Sequence, residues 1–247
     1  MVLDLSHILL LGLLFFLAAL LYSSVGHAGA SAYIAAMVLM GVAPSIIKPT
    51  AFILNIFVAS LVTYQFRKEG YFQWKLFWPF AIASVPSAFL ASYASLPLSW
   101  FKLGLVVILL LGALRLFLHN DDSKPWYPNR FSKYKGMIIG GMIGGLSGLT
   151  GTGGGIFLSP IILFSGWANT RTTSGISAAF ILVNSIAGLM GCIASTHFIP
   201  EAIFLWVPIV AFAGFLGSQL GTRKLPPRIL LRFLGLVMVI AACKLMF

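Results

Sequence analysis

Acidic residues are nearly absent from this chain: 247 residues include only five Asp and Glu. Charged residues of both signs make up 9% of it, against about a quarter in soluble globular domains. That scarcity excludes a water-soluble globular enzyme. The 60% hydrophobic content excludes a disordered chain. The carboxylates are Asp4, Glu69, Asp121, Asp122 and Glu201, and none lies inside a predicted apolar segment. The sequence therefore offers no carboxylate for a buried proton relay or sodium site, and a cationic substrate finds no counter-charge. Cysteine is equally sparse. Cys192 and Cys243 stand alone in apolar stretches, with neither a metal-ligand spacing nor a disulfide framework. No metal and no cofactor are expected.

What the chain does have is long apolar runs. They are continuous and do not alternate, which points to membrane helices and not to a barrel. At about 20 residues per span, the length holds about eight to ten segments and leaves no room for a soluble domain. Breakers and charges delimit ten: Leu5–Tyr22, Gly29–Met40, Pro49–Phe66, Trp74–Ala94, Ser99–Leu118, Gly136–Leu149, Ile156–Gly166, Ser174–Ser195, Ala202–Thr222 and Arg228–Phe247. The stretch His119–Lys135 is the one polar linker. The net charge of +11 reads as helix-end anchoring and orientation, so the bilayer is the expected partner and nucleic acid is not. Trp74, Trp100, Trp126 and Trp167 near segment ends read as an interfacial belt. The first apolar run has no basic region before it and reads as a retained helix.

Two segments are too short to span. Gly29–Met40 would reach about 18 Å as a helix, against a hydrocarbon core of about 30 Å, and Ile156–Gly166 is similar. Each follows a glycine-rich break, Val25–Ser31 and Leu149–Gly155. One straight helix over Leu5–Met40 would reach about 54 Å, so the breaks must lie within or near the membrane.

The two halves read as copies. Gly26–Ala30 aligns with Gly151–Gly155 at an offset of 125, Ala51–Leu54 with Ala179–Leu182 at 128, Pro79 with Pro208 at 129, and Gly104–Val106 with Gly235–Val237 at 131. A duplication of five segments makes the second copy inverted. The charges agree. Loop Arg67–Lys75 is basic while its mate Thr196–Glu201 has no Lys or Arg; Ser95–Ser99 is uncharged while its mate Thr222–Arg228 is basic. All Lys and Arg except Lys48, Lys102 and Lys244 then fall on one face, which places both termini outside the cytoplasm. The expected fold is an all-α polytopic membrane protein of two inverted-topology repeats. Residues 1–118 and 136–247 form the repeats, joined by a cytoplasmic linker over 119–135. Each repeat carries a Gly-rich break and a short half-helix.

A glycine-rich break that opens into a helix is an anion-binding device, because free backbone N–H groups and the positive end of the helix dipole face the ligand. The expected substrate-binding groups are the backbone of Gly26, Gly29, Ala30 and Ser31 in the first break, and of Thr150, Thr152, Gly153, Gly154 and Gly155 in the second. Close helix packing is the competing reading of these glycines. The second break is not a nucleotide P-loop, since no Gly-Lys-Ser/Thr ends it. His27 sits inside the first break. Its competing roles are an anion partner, a proton carrier and a neutral histidine bonded to backbone. Lys48 and Arg171 follow the two short helices at matching places, either to collect an anion at the mouths of a path or to anchor the helices at the interface. Asn55 and Asn184 stand on the next segments, as ligands of a small oxyanion or as interhelical bonds.

The break near the end of the first helix, its repeat within Gly144–Phe157 and the terminal Gly217–Arg223 resemble the TauE/SafE sulfite exporter family. This family is also called TSUP, for toluene sulfonate uptake permease. The resemblance implies a multi-pass carrier in the cytoplasmic membrane of a bacterium or archaeon. Its implied cargo is a sulfur anion: sulfite, a sulfonate or sulfoacetate. Residue spacing alone reaches only a small anion, and leaves open a homo-oligomer, the direction of transport and the coupling ion. A passive small-anion channel has the same residues available to line a pore. An intramembrane serine protease is the rival from another class, with Ser147 of Gly145–Gly148 as nucleophile and His27 as base.

Overall fold

The computed structural model describes residues 5–93, 131–195 and 201–226, with isolated positions between 110 and 117 and between 229 and 243. Eight α-helices lie in the three continuous stretches. They are α1 (Leu5–Ser24), α2 (Ala30–Leu39), α3 (Pro44–Lys68), α4 (Trp74–Ser92), α5 (Lys133–Thr150), α6 (Gly155–Phe164), α7 (Thr170–Ser195) and α8 (Ile203–Gln219). A π-turn, Leu220–Lys224, continues α8. The described residues contain no strand. The eight helices fall on eight predicted segments. The other two predictions, Ser99–Leu118 and Arg228–Phe247, and most of the linker lie outside the continuously described residues.

Four helical stretches are long and apolar enough to cross a membrane: Leu5–Ser24, Ser45–Lys68, Thr170–Ala194 and Ile203–Lys224. Their outer surfaces are apolar too. On α1, Leu9, Leu13, Leu17 and Leu21, four residues apart, all face outward, while Leu11, Phe15, Ala18 and Tyr22 are buried. A helix apolar on every side belongs in lipid or in a deep core. The protein is a polytopic helical membrane protein.

Two helix starts move by four residues or more from their predicted places. α3 starts at Pro44, not Pro49, because a proline in the first turn has no amide to lose. α7 starts at Thr170, not Ser174, because Asn169 caps it: its Oδ1 accepts from the Thr172 amide at 2.9 Å. Lys48 and Arg171 consequently sit within the opening turns of long helices. The aromatic belt is also corrected. Trp74 is exposed, but Trp167 is buried against Phe80 and Phe131. Trp100 and Trp126 lie outside the described residues.

α3 and α7 pack on each other at the centre. α8 packs on α1 and α3, and α4 packs on α5 and α7. The short helix α2 lies against α1 and α3; α6 lies against α5 and α7. Exchanging α1–α4 with α5–α8 maps this set of contacts onto itself. The buried side chains form two matching cores, one around Phe15, Tyr33, Leu54 and Trp206, the other around Phe80, Leu158, Trp167 and Phe180. Glycine brings some helices to backbone contact. A Cβ on Gly140, Gly144 or Gly148 of α5 would overlap the α4 backbone at Phe80, Ser84 or Ala88.

The polar contacts define two ends. At one, Arg223 pairs with Glu69 at 2.7 Å. There Arg171 also donates to the Tyr71 hydroxyl at 2.8 Å and to the Leu225 carbonyl at 3.3 Å. At the other, Lys48 donates to the Ser92 carbonyl at 3.1 Å.

Candidate functional site: the two glycine breaks

The breaks share two backbone features, and the second has a further left-handed glycine, Gly153 (φ 77°), where the first has Ala28. α1 gives way through Gly26 (φ 82°) and α5 through Gly151 (φ 81°). Each short helix is then capped by a glycine in the left-handed region, Gly29 (φ 105°) for α2 and Gly154 (φ 80°) for α6. Residues with a Cβ rarely adopt that conformation. No side chain caps either helix. Intrahelical bonding begins at Ala32 and Tyr33 on the Gly29 carbonyl, and at Phe157 and Leu158 on the Gly154 carbonyl. The amides of Ala30 and Ser31, and of Gly155 and Ile156, precede those ladders at the positive ends of the helix dipoles.

The first break is closed. Every residue from Tyr22 to Ser31 is buried. His27 Nδ1 donates to the Val25 carbonyl at 3.1 Å. The ring also bonds the Gly155 backbone at the start of α6. Its Nε2 shares a hydrogen bond with Ser159 of α6 at 3.2 Å, and the Ser159 and Ser177 hydroxyls share one at 2.7 Å. Ser174 of α7 donates to the same Val25 carbonyl at 2.9 Å. Ser31 donates to the Tyr22 hydroxyl at 2.9 Å, and Tyr33 donates to the Ala28 carbonyl. No buried side-chain polar atom from Tyr22 to Tyr33 lacks a partner.

The second break has spare capacity. Thr150 and Thr152 are only half-buried, and their hydroxyls bond each other at 2.8 Å. Gly153 faces α3 and α7. A Cβ there would stand 3.0 Å from Asn55 Nδ2 and 3.1 Å from Ser185 Oγ. Asn55 donates to Ser185 at 3.3 Å, and its Oδ1 is buried without a partner. Asn184 Oδ1 and Ser147 Oγ are likewise buried and unpartnered. The stem of Lys48 reaches this break, its Cγ 3.2 Å from a Cβ built on Gly151.

The candidate residues therefore divide. Asn55, Lys48 and the Gly151–Gly155 backbone come together at the second break, while His27, Gly26, Gly29, Ala30 and Ser31 form the first. Arg171 lies at the end of the molecule away from Lys48, held by Tyr71 and Leu225. Ser159, Ser185, Tyr22 and Tyr33 were not among the sequence candidates; a lone serine in an apolar run carries no local signal. The His27 ring, the base of the protease reading, is bonded to Ser159 and not to its proposed nucleophile Ser147.

Residues 11–245 match the family described as Sulfite exporter TauE/SafE. The chain belongs to the TauE/SafE family. A probable membrane transporter protein, y4hK, from Sinorhizobium fredii (strain NBRC 101917 / NGR234) is 37% identical over 240 residues, covering 96% of this chain and 97% of that protein. A probable membrane transporter protein from Xylella fastidiosa (strain Temecula1 / ATCC 700964) is 33% identical over 100 residues, or 40% of this chain and 38% of that protein. No solved structure matches the chain. Family membership makes this TauE/SafE protein a membrane transporter, and its apolar helices are the spans such a protein needs.

Proposed function

We propose that this protein is a secondary transporter of small sulfur-containing anions, of the sulfite or organosulfonate class, working by alternating access in the cytoplasmic membrane of a bacterium or archaeon. The observation that carries the reading is the second break. There the uncapped start of α6 meets a half-exposed Thr150–Thr152 turn and the partly unpaired Asn55. A site built from amides and a helix dipole attracts a sulfite or sulfonate oxygen without a full charge pair, so the cargo is free to leave. The name of the family supports the sulfur chemistry.

The repeats supply the rest of the mechanism. The exchangeable packing of α1–α4 and α5–α8 supports two inverted-topology units, with the linker and the Glu69–Arg223 end cytoplasmic and both termini outside. The first break lies toward that cytoplasmic end, since Gly26 abuts Ser174, close to Arg171 on α7. The second lies toward the Lys48 end. One break bonded shut and the other reached only at the partly exposed Thr150 and Thr152 is the asymmetry of an outward-facing carrier. In the opposite state the His27–Ser159–Ser177 chain would open and the second break would close.

Counterflow in proteoliposomes tests this reading. Sulfite or a sulfonate preloaded inside is expected to accelerate uptake of labelled cargo from outside. Ohmic currents with no acceleration would replace the carrier with a channel. Absence of any flux would remove sulfur anions as the cargo.

A further inference from the structure

We infer that the cargo carries an O–H group of its own, and that Asn184, with Asn55, reads it. This rests on the second break being the anion site, and it narrows the class of anion.

Asn184 fixes the sense of the interaction. Its Nδ2 donates to the Phe180 carbonyl at 2.8 Å. That carbonyl only accepts, so the two ends of the amide cannot be exchanged. The Oδ1 left over is buried and has no partner, on a side chain with no exposed surface. Asn184 shares a face of α7 with Phe180 and Ile181, four and three residues before it. Both of these border the second break, for a Cβ on Gly154 would lie 2.9 Å from Phe180 Cε1 and one on Gly153 2.7 Å from Ile181 Cγ2. Asn55 adds a second carboxamide. Whichever end of its amide faces Ser185, the other end is unpaired.

The break thus combines donors that need acceptors, the α6 amides, with an acceptor that needs a donor, Asn184 Oδ1. A bare oxyanion satisfies the amides and leaves the carboxamide oxygen unpaired. A metal cation suits the carboxamides but meets the positive end of α6 and the neighbouring Lys48. An ammonium group donates, yet brings a full charge where no acidic residue lies within any of the eight helices. An anion that keeps one O–H satisfies both sets: the S–OH form of hydrogen sulfite, or a hydroxylated sulfonate. A buried polar group left unpaired by the wrong ligand is a strong basis for discrimination.

Isethionate and ethanesulfonate share charge, sulfonate group and carbon count, and differ by one hydroxyl. Thermal-shift titration of the purified full-length protein with each gives their relative affinities. We expect isethionate to bind about tenfold more tightly. In Asn184→Leu the preference should fall below about twofold while ethanesulfonate binding persists. Asn55→Leu is a second variant expected to shrink the preference, and the wild-type comparison needs no variant at all. Equal wild-type affinities would overturn the O–H inference and leave the anion site standing. Equal weakening of both ligands in folded Asn184→Leu would make Asn184 structural and overturn its role as reader. No stabilisation by either sulfonate would overturn the anion site itself.

Discussion

The two glycine breaks share a pair of left-handed glycines, Gly26 and Gly29 in the first and Gly151 and Gly154 in the second, but the second adds Gly153 where the first has Ala28, and their hydrogen-bond accounts differ. In the first, the helix-capping glycine is enclosed by Tyr33, and His27 is held at both nitrogens by its own loop and by Ser159 of α6, which Ser177 of α7 bonds in turn. In the second, the corresponding glycines face Asn55, Ser185, Ser147 and the α7 stripe, and three of the surrounding side chains have polar atoms without partners. A duplicated pair of left-handed glycines therefore supplies the device twice, and Gly153 together with the side chains around each copy decides which is held shut and which is available. Buried polar groups are normally paired, so Asn55 Oδ1, Asn184 Oδ1 and Ser147 Oγ mark where a ligand or water belongs at the second break. Thr50, Thr63, Thr173 and Arg171 carry unpaired atoms elsewhere, Thr173 beside the Ser174 that abuts the first break.

Substitutions separate the two breaks by what they damage. The largest effect is expected from Gly26→Ala. Its Cβ would lie 2.5 Å from the Ser174 Cα with φ at 82°, a backbone overlap that should cost more than about 3 kcal/mol and prevent recovery of folded protein. Size-exclusion and melting profiles check it; a normal profile would dissolve the tight first break. Gly153→Ala should instead fold, at a cost of roughly 1–2 kcal/mol for the left-handed alanine. Its methyl would stand 2.7 Å from Ile181 Cγ2, which must shift, and press on Asn55 and Ser185 at 3.0 and 3.1 Å, and sulfonate binding should weaken by at least about thirtyfold, measured by thermal-shift titration.

Accessibility gives the next contrast. In a background with Cys192 and Cys243 changed to Ser, Thr152→Cys should react with a charged, membrane-impermeant thiol reagent added outside, and cargo should protect it. Ala28→Cys, in the fully buried break, should react at least about tenfold more slowly, as local opening must precede it. Equal rates would erase the distinction. His27→Ala should have the smallest effect on binding. Losing the bonds to Val25, Ser159 and the Gly155 backbone should lower stability by roughly 1–3 kcal/mol, while sulfonate affinity stays within about threefold. A collapse of affinity at unchanged stability would move His27 into the cargo site.

Much of the fold was legible because lipid imposes simple rules. Apolar runs gave the helices, and the short runs after Val25–Ser31 and Leu149–Gly155 gave α2 and α6. The errors have local causes. Asn169 was not read as a cap, so α7 began four residues late, and Trp167 was placed at the interface although Phe80 and Phe131 enclose it. The site was legible in its backbone and less so in its side chains. Glycine breaks announce themselves in sequence. The partner of His27 is Ser159, 132 residues away, and nothing in the run Gly155–Phe164 distinguishes that serine. The unpaired oxygen of Asn184 emerges only once Phe180 is seen to occupy its nitrogen.

The central claim is that cargo occupies the second break and not the first. Bromoethanesulfonate places a heavy scatterer on a plausible cargo, and a crystal structure of the protein with it bound would locate the bromine by its anomalous signal. The account predicts a single strong peak beside the Gly153–Ile156 amides, within reach of Asn55 and Asn184, with the His27–Ser159–Ser177 chain intact. A peak at Gly29–Ser31 with the second break empty would contradict it.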